Sequence, residues 1–336
     1  MKNRTYFAAA NGYSGFRSYF DNIFRSEDFK RIFILKGGPG TGKSTLMKRV
    51  AKASLSEGTK FDKILCSSDP DSLDGVIVYT NKGNYAVIDG TSPHERDAVV
   101  PGAIDLILNL GEGFDISKLE SRREEIISLN QQKKATYHEA YKYLKTAGTL
   151  KNLSDDLINA CFDYEKAERI ADAILSKFSL KNQVPHIALR RAFCKHGYLT
   201  LNEFLCSEET VIVSGKYGEE NKILELVLKK SKQNFNLISF DPLCTQKTDA
   251  IISGDIAVIC DTDSTSELNA GSCLGASTSF EELDLLRSAH NSILATASNY
   301  FGKASLLHLK LEKIYSNAMD FSRSDELFEK IINDIF

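Results

Sequence analysis

Apolar positions in the first third of the chain fall into short dense runs. Ile32-Phe33-Ile34-Leu35 is one, Lys63-Ile64-Leu65-Cys66 a second. Gly75-Val76-Ile77-Val78 and Tyr85-Ala86-Val87-Ile88 follow, separated by Asn81-Lys82-Gly83-Asn84. Short apolar runs bounded by turn residues predict buried strands, and the Asn-Lys-Gly-Asn segment predicts a turn. Phe16, Tyr19, Phe20 and Ile23 recur at helical spacing before the first strand, and a helical pattern runs from Lys43 to about Leu55 after it. Strand–loop–helix alternation predicts an α/β fold: a mainly parallel sheet with flanking helices.

The character changes at Ser117. Ser117-Lys118-Leu119-Glu120 has the spacing of a capping box. A charged helical stretch follows to about Thr146, and another runs from about Ser154 to Phe178, with apolar residues such as Ile126, Leu129, Ile170, Ile174 and Leu175 three and four apart. They predict a helical hairpin over about 117–178, appended to the α/β core.

The second half echoes the first. Phe193 to Gly197-Tyr198 matches Phe7 to Gly12-Tyr13, and Asp241-Pro242 matches Asp69-Pro70. Val211-Ile212-Val213-Ser214-Gly215 matches Phe33-Ile34-Leu35-Lys36-Gly37, with Gly218 as far from Gly40 as Gly215 is from Gly37. Ile256-Ala257-Val258-Ile259 matches Tyr85-Ala86-Val87-Ile88. Tyr143, Ala147, Leu150, Asp163 and Glu168 match Tyr300, Ala304, Leu307, Asp320 and Asp325 at one constant separation. Five matched segments in the same order predict a tandem duplication. The units span 1–182 and 187–336, joined near Asn182-Gln183-Val184-Pro185, and the second carries its own hairpin over about 280–336.

Candidate chemistry sits between the first strand and the helix after it. Gly37-Gly38-Pro39-Gly40-Thr41-Gly42-Lys43-Ser44-Thr45 fits the phosphate-loop pattern in the required strand-to-helix setting. Glycines let the backbone approach phosphate oxygens, and successive N–H groups with the helix N-terminus receive the anion. In this reading Lys43 reaches the β- and γ-phosphates, Ser44 places its hydroxyl on Mg²⁺, and Thr45 opens the helix. The alternative is a glycine turn that only caps a helix, which leaves Lys43-Ser44 unexplained. Lys36, at the strand end, is either a phosphate contact or a solvated lysine.

Phosphoryl chemistry wants a second Mg²⁺ contact at the carboxyl end of a strand. Asp89, closing Ala86-Val87-Ile88-Asp89, is the expected one; a turn-forming Asp before Gly90 is the alternative. Asp69 positions the attacking water or caps the turn at Pro70. In Thr91-Ser92-Pro93-His94-Glu95-Arg96-Asp97, His94 senses the γ-phosphate and Glu95 acts as base, unless the segment is an ordinary polar loop.

The second copy lacks this machinery. By the 178-residue register, Glu220, Asn221 and Lys222 stand at Gly42, Lys43 and Ser44, and Cys260 stands at Asp89, with Asp261 and Asp263 nearby. A carboxylate in the cradle repels phosphate, so one nucleotide site per chain is expected. Arg190 and Arg191 are candidates for a positive group supplied to the first copy; the alternative is surface arginines.

Composition narrows the partners. With 336 residues, a length of ~150 per domain suggests two domains. A net charge of −3 provides no global field for nucleic acid, and basic residues are scattered. The seven cysteines, Cys66, Cys161, Cys194, Cys206, Cys244, Cys260 and Cys273, include no CxxC pair, so reduced packing residues are expected. No signal-like run follows the N-terminus and no stretch approaches ~18 apolar residues, so a cytoplasmic protein is expected.

Three segments carry a resemblance: Lys36 to Leu46, Cys66-Ser67-Ser68-Asp69-Pro70-Asp71-Ser72-Leu73-Asp74-Gly75, and Ile88-Asp89-Gly90-Thr91-Ser92-Pro93-His94. Together they resemble a family of tandem P-loop ATPase-like proteins of Gram-positive, often spore-forming bacteria. The likeness covers most of the chain, including both helical hairpins and Pro101-Gly102. It implies roles for Asp69, Asp89 and His94, and it implies no substrate. Many relatives carry a phosphate loop in both halves; this sequence departs in its second. The expected function is an ATP·Mg²⁺-dependent ATPase whose hydrolysis moves one repeat against the other. A small-molecule or nucleotide kinase and a non-catalytic ATP-gated interaction switch are the alternatives.

Overall fold

The computed structural model of the chain describes every residue except 1, 2, 181, 183, 205, 206, 233, 263–265 and 267, and all but the side chain of Asn202. Gln183, Cys206 and Asp263, named above, lie outside the described residues.

The first half runs β1 (Thr5–Phe7), β2 (Ala9–Gly12), β3 (Gly15–Ser18), a one-turn α1 (Phe20–Ile23), β4 (Arg31–Lys36), α2 (Lys43–Ser56), β5 (Lys60–Leu65), β6 (Leu73–Thr80), β7 (Gly83–Asp89) and β8 (Asp105–Asn109). It continues through α3 (Ile116–Glu120), α4 (Arg123–Cys161) and α5 (Tyr164–Leu175). The second half runs β9 (His186–Ile187), β10 (Arg191–Cys194), β11 (Gly197–Thr200), β12 (Glu209–Ser214), α6 (Glu219–Ser231), β13 (Leu237–Phe240), β14 (Thr248–Ser253), β15 (Ile256–Asp261), β16 (Leu268–Asn269), α7 (Phe280–Ser316) and α8 (Ser322–Ile335).

Two six-stranded sheets result, ordered β1-β5-β6-β7-β4-β8 and β9-β13-β14-β15-β12-β16. The orders correspond strand for strand, as a duplication requires. The outer pairings are parallel: β1 with β5, β7 with β4, and β4 with β8. The two middle pairings, β5–β6 and β6–β7, are antiparallel. Their links, 66–72 and 81–82, are too short for the crossover that parallel neighbours need.

Continuous apolar strands reflect burial on both faces. Phe33 and Leu35 pack under α2 with Leu46, Met47 and Val50. Ile32 and Ile34 face the other way, into a core shared with Leu237, Ala250 and Ile259 of the second sheet. Phe7 and Leu189 exchange backbone hydrogen bonds in both directions at 2.9 Å, where one half abuts its copy.

The helices depart from the hairpin expectation. Residues 123–161 form one unbroken helix, with no break after Thr146. Gly148 sits inside it because a Cβ there would lie 2.8 Å from the Tyr13 side chain. The partner of α4 is α7, running antiparallel along its length: Tyr143 stacks on Tyr300, 5.4 Å between ring centroids. Bridges between Phe114 and Met319 and between Phe162 and Leu274 close the two ends. The last helix of each half then crosses to the other. Ala167, Ala171 and Ile174 of α5 enter the core of Ile223, Leu224 and Val227. Leu327, Ile331 and Ile335 of α8 enter that of Leu46, Val50 and Phe61. Amphipathic stripes of this kind must be buried, but the stripe does not say on which surface. Among the described residues, no helix is long and apolar enough to cross a membrane.

Candidate functional site

The loop Gly37–Gly42 leaves the carboxyl end of β4 and turns into α2 through Gly42, whose φ of 85° is left-handed. No side chain caps α2. Among the described residues no side chain accepts from its first-turn N–H groups, as an anion-receiving helix end requires. Lys43 Nζ lies across the loop, donating to Gly37 O and Gly38 O at 3.0 Å each, and stands 3.7 Å from Asp89 Oδ2. Buried Thr41 donates its hydroxyl to Gly38 O at 2.9 Å. Ser44 Oγ, in the first turn of α2, accepts from Leu73 N at 3.0 Å.

Asp89 ends β7 beside β4, opposite Leu35. Its Oδ1 accepts from Thr91 N at 2.9 Å and Thr91 Oγ1 at 2.6 Å, so it also forms the turn before Gly90. His94 lies behind it. Its Nδ1 meets Thr91 O at 3.0 Å, its Nε2 meets Asp74 Oδ2 at 3.1 Å, and its ring packs on Phe20. Burial, with Asp89 nearby, holds Asp74 well above the usual carboxylate range, and burial also lowers His94. A carbonyl takes the Nδ1 proton, so Asp74 and His94 share one proton between Oδ2 and Nε2. His94 is thus a buried support behind Asp89, with both ring nitrogens engaged.

The remaining sequence candidates divide. Asp69 Oδ1 is 2.6 Å from Lys195 Nζ, a residue of the second half. Glu95 is exposed. Lys36 donates to Gly90 O at 2.8 Å and pairs with Asp97, so it braces the loop after β7. Arg190 and Arg191 do not cross over: both bind Asp249 at 3.0 Å and donate to Cys260 O within the second half. Asp249 occupies the place of Asp74 in the repeat, beside the β14–β15 pair Ala250–Ile259 as Asp74 is beside Gly75–Ile88.

Helices of the second half form the roof. A Cβ on Gly40 would lie 2.5 Å from Glu312 O, and one on Gly42 would lie 3.5 Å from the Phe321 ring. His308 sits one turn before Glu312, 3.5 Å from its carboxylate, with Lys133 Nζ 3.5 Å away on the other side. Burial and then Lys133 push His308 down to about 4. Burial, reinforced by Asp69, raises Glu312. Sequence reasoning missed Asp74, Lys195, His308 and Glu312. Asp74 alone left a signal, a carboxylate opening an apolar strand.

The second loop is closed by its own carboxylate. It has four residues, 215–218, against six, 37–42, in the first. Gly218 caps α6 with φ 103°, so it matches Gly42 rather than Gly40. Glu219, Glu220 and Asn221 therefore stand at Lys43, Ser44 and Thr45, a two-residue correction to the sequence register. Cys260 does stand at Asp89, pairing with Val213 as Asp89 pairs with Leu35. Two other matches also move: Gly197 corresponds to Gly15, each the first residue after a hairpin turn, and Asp241 to Cys66. Glu219 accepts from Lys216 N at 2.9 Å and Tyr217 N at 2.8 Å, taking the loop donors that an anion would use.

Glu220 beside it is buried, and its Oε2 has no partner. Burial, then Glu219, raise its pKa to about 7. A carboxyl raised on folding contributes stability below its unfolded pKa, and that stability is lost as pH rises through 7. Glu220→Gln is expected to match the wild type near pH 4.5 and exceed it at pH 8.5 by on the order of 2 kcal/mol. Urea unfolding at both pH values checks this; no gain at pH 8.5 contradicts it.

Among the described residues, no group of three or more His, Cys, Asp and Glu side chains is placed to hold a metal. A Mg²⁺ carried by phosphates, one hydroxyl and one carboxylate needs no such group. Comparisons with protein-family models, curated proteins and solved structures gave no match.

Proposed function

We propose that the chain binds one nucleoside triphosphate with Mg²⁺ on the loop Gly37–Thr45 and hydrolyses it, with ATP the expected nucleotide. The observation that carries this reading is the uncapped N-terminus of α2, met by a six-residue glycine loop with Lys43 3.7 Å from Asp89. The resemblance of its three segments to tandem ATPase-like proteins supports the same reading. Loop N–H groups and Lys43 receive the phosphate oxygens. Ser44 and Asp89 are the side chains suited to Mg²⁺, which when bound neutralises charge between the β- and γ-phosphates. Thr91 and the Asp74–His94 pair keep Asp89 in place.

Asp69 orients a water for in-line attack. The water oxygen bonds to the γ-phosphorus as the bridging P–O bond breaks. The electron pair leaves on the β-phosphate, and the water's proton ends on the phosphate product. Positioning and charge supply most of this catalysis, which suits a slow enzyme.

The close approach of Gly40 to Glu312 of α7, where a Cβ would lie 2.5 Å from the carbonyl oxygen, supports a mechanical role. A loop that moves between nucleotide states pushes directly on helices of the second half, whose own loop stays closed on Glu219. Single-turnover phosphate release from purified protein tests the reading. Phosphate formed without any acceptor supports hydrolysis; transfer only to an added acceptor favours a kinase. Release only after partner addition favours a switch, and failure to bind ATP·Mg²⁺ at millimolar concentration sinks all three.

A further inference from the structure

The second half sets one cation against the first half's site. Lys195, in the β10–β11 turn, places Nζ 2.6 Å from Asp69 Oδ1 and 3.1 Å from Asp71 Oδ2. Its backbone N–H donates to Ser68 O at 3.4 Å. Burial opposes the Lys195 charge, but its hydrogen bonds and ion pairs with Asp69 and Asp71 outweigh that and raise its pKa. Buried Asn11 fastens the same loop: its Nδ2 donates to Ser67 O and Ser68 Oγ at 3.3 Å and to Phe193 O at 3.1 Å. Tyr141 of α4 donates to Asn11 Oδ1 at 2.7 Å. The Ser67–Asp71 loop is therefore gripped by both halves.

The internal symmetry provides a contrast. Tyr13 is the counterpart of Lys195, donating its N–H to Leu243 O as Lys195 does to Ser68 O. The Tyr13 hydroxyl meets His290 at 2.7 Å. So a cation faces the half with the open glycine loop, and a phenol faces the half whose loop is filled by Glu219.

We propose that Lys195 is a positioning residue for the first half's phosphate site. It holds the Asp69 carboxylate fixed for water attack, so turnover in one half depends on a side chain of the other. This rests on the nucleotide reading above. It also gives the closed repeat a chemical role, because without the β10–β11 turn Asp69 has no cation at ion-pair distance among the described residues.

Wild type, Lys195→Ala, Lys195→Arg and Lys43→Ala are compared for ATP·Mg²⁺ affinity by equilibrium dialysis and for kcat and KM by phosphate release. Lys195→Ala is expected to bind within about threefold of wild type while kcat falls about 10- to 100-fold. Lys195→Arg should restore most of kcat. An unchanged kcat in Lys195→Ala overturns the proposal, as does parallel loss of binding and turnover that Lys195→Arg does not repair. Wild type that binds ATP·Mg²⁺ without turnover overturns it while leaving the nucleotide site standing. Wild type that binds no ATP·Mg²⁺ removes both.

Discussion

Lys43→Ala is expected to lower ATP turnover at least about 100-fold and to weaken ATP·Mg²⁺ binding severely. Among the described residues, Lys43 is the one cation that touches the loop carbonyls and also approaches Asp89. Its loss leaves Asp89 facing the incoming phosphates unopposed, so attraction becomes repulsion. The change should be local. Lys43 is partly exposed and α2 is anchored by Leu46, Met47 and Val50, so the melting temperature without nucleotide should stay near the wild-type value. The stabilisation that ATP·Mg²⁺ gives the wild type should vanish in the variant. Thermal unfolding with and without nucleotide, together with phosphate release, checks both halves of this expectation. A nucleotide-dependent rise in melting temperature that survives Lys43→Ala would place the ligand elsewhere.

The second large effect concerns the exchanged helices. Ile331 is fully buried in the core under α2, and Ile174 is its counterpart under α6. Removing either side chain should cost about 2–5 kcal/mol, as other buried Ile→Ala changes do. The location of the damage is the informative part. Ile331→Ala, a change in the sequence of the second half, should accelerate hydrogen exchange in α2 and β4–β7 of the first. Ile174→Ala should do the same in α6 and β12–β15. Salt bridges Arg49–Asp325 at 2.5 Å and Lys230–Asp172 at 2.7 Å mark the same crossings at the surface. Exchange mapped by mass spectrometry checks it; damage confined to the mutated half would contradict the exchange of helices.

Much of the core was legible in the sequence. The strands β4 to β7 announce themselves because both of their faces are buried. The turn at Asn81-Lys82 is as local as its signal; it forces an antiparallel pairing into a sheet that stays mostly parallel, as expected. The glycine loop stood out because its pattern lies in consecutive residues, and it does join β4 to α2. Asp89 was placed by its strand, and the structure sets it beside Lys43.

What stayed hidden depends on contacts between distant segments. The stripe of α8 fits a surface of its own half as well as that of α2, so periodicity cannot choose between them. Nothing in Cys194-Lys195-His196-Gly197 tells that Lys195 meets Asp69, 126 residues away. The two-residue shortening of the second loop was masked because Gly40 and Gly42 both have positive φ, 73° and 85°. Gly218 therefore matched either one until the start of α6 fixed it. The correction strengthens the contrast between the halves, because it puts Glu219 where Lys43 stands and its carboxylate on the loop N–H groups.

One loop of two is proposed to receive the nucleotide. Isothermal titration calorimetry with ATP·Mg²⁺ counts the sites, using wild type, Lys43→Ala and Glu219→Gln. One nucleotide per chain is expected for the wild type and for Glu219→Gln, and none for Lys43→Ala. Two nucleotides per chain, or one that persists in Lys43→Ala, would contradict it.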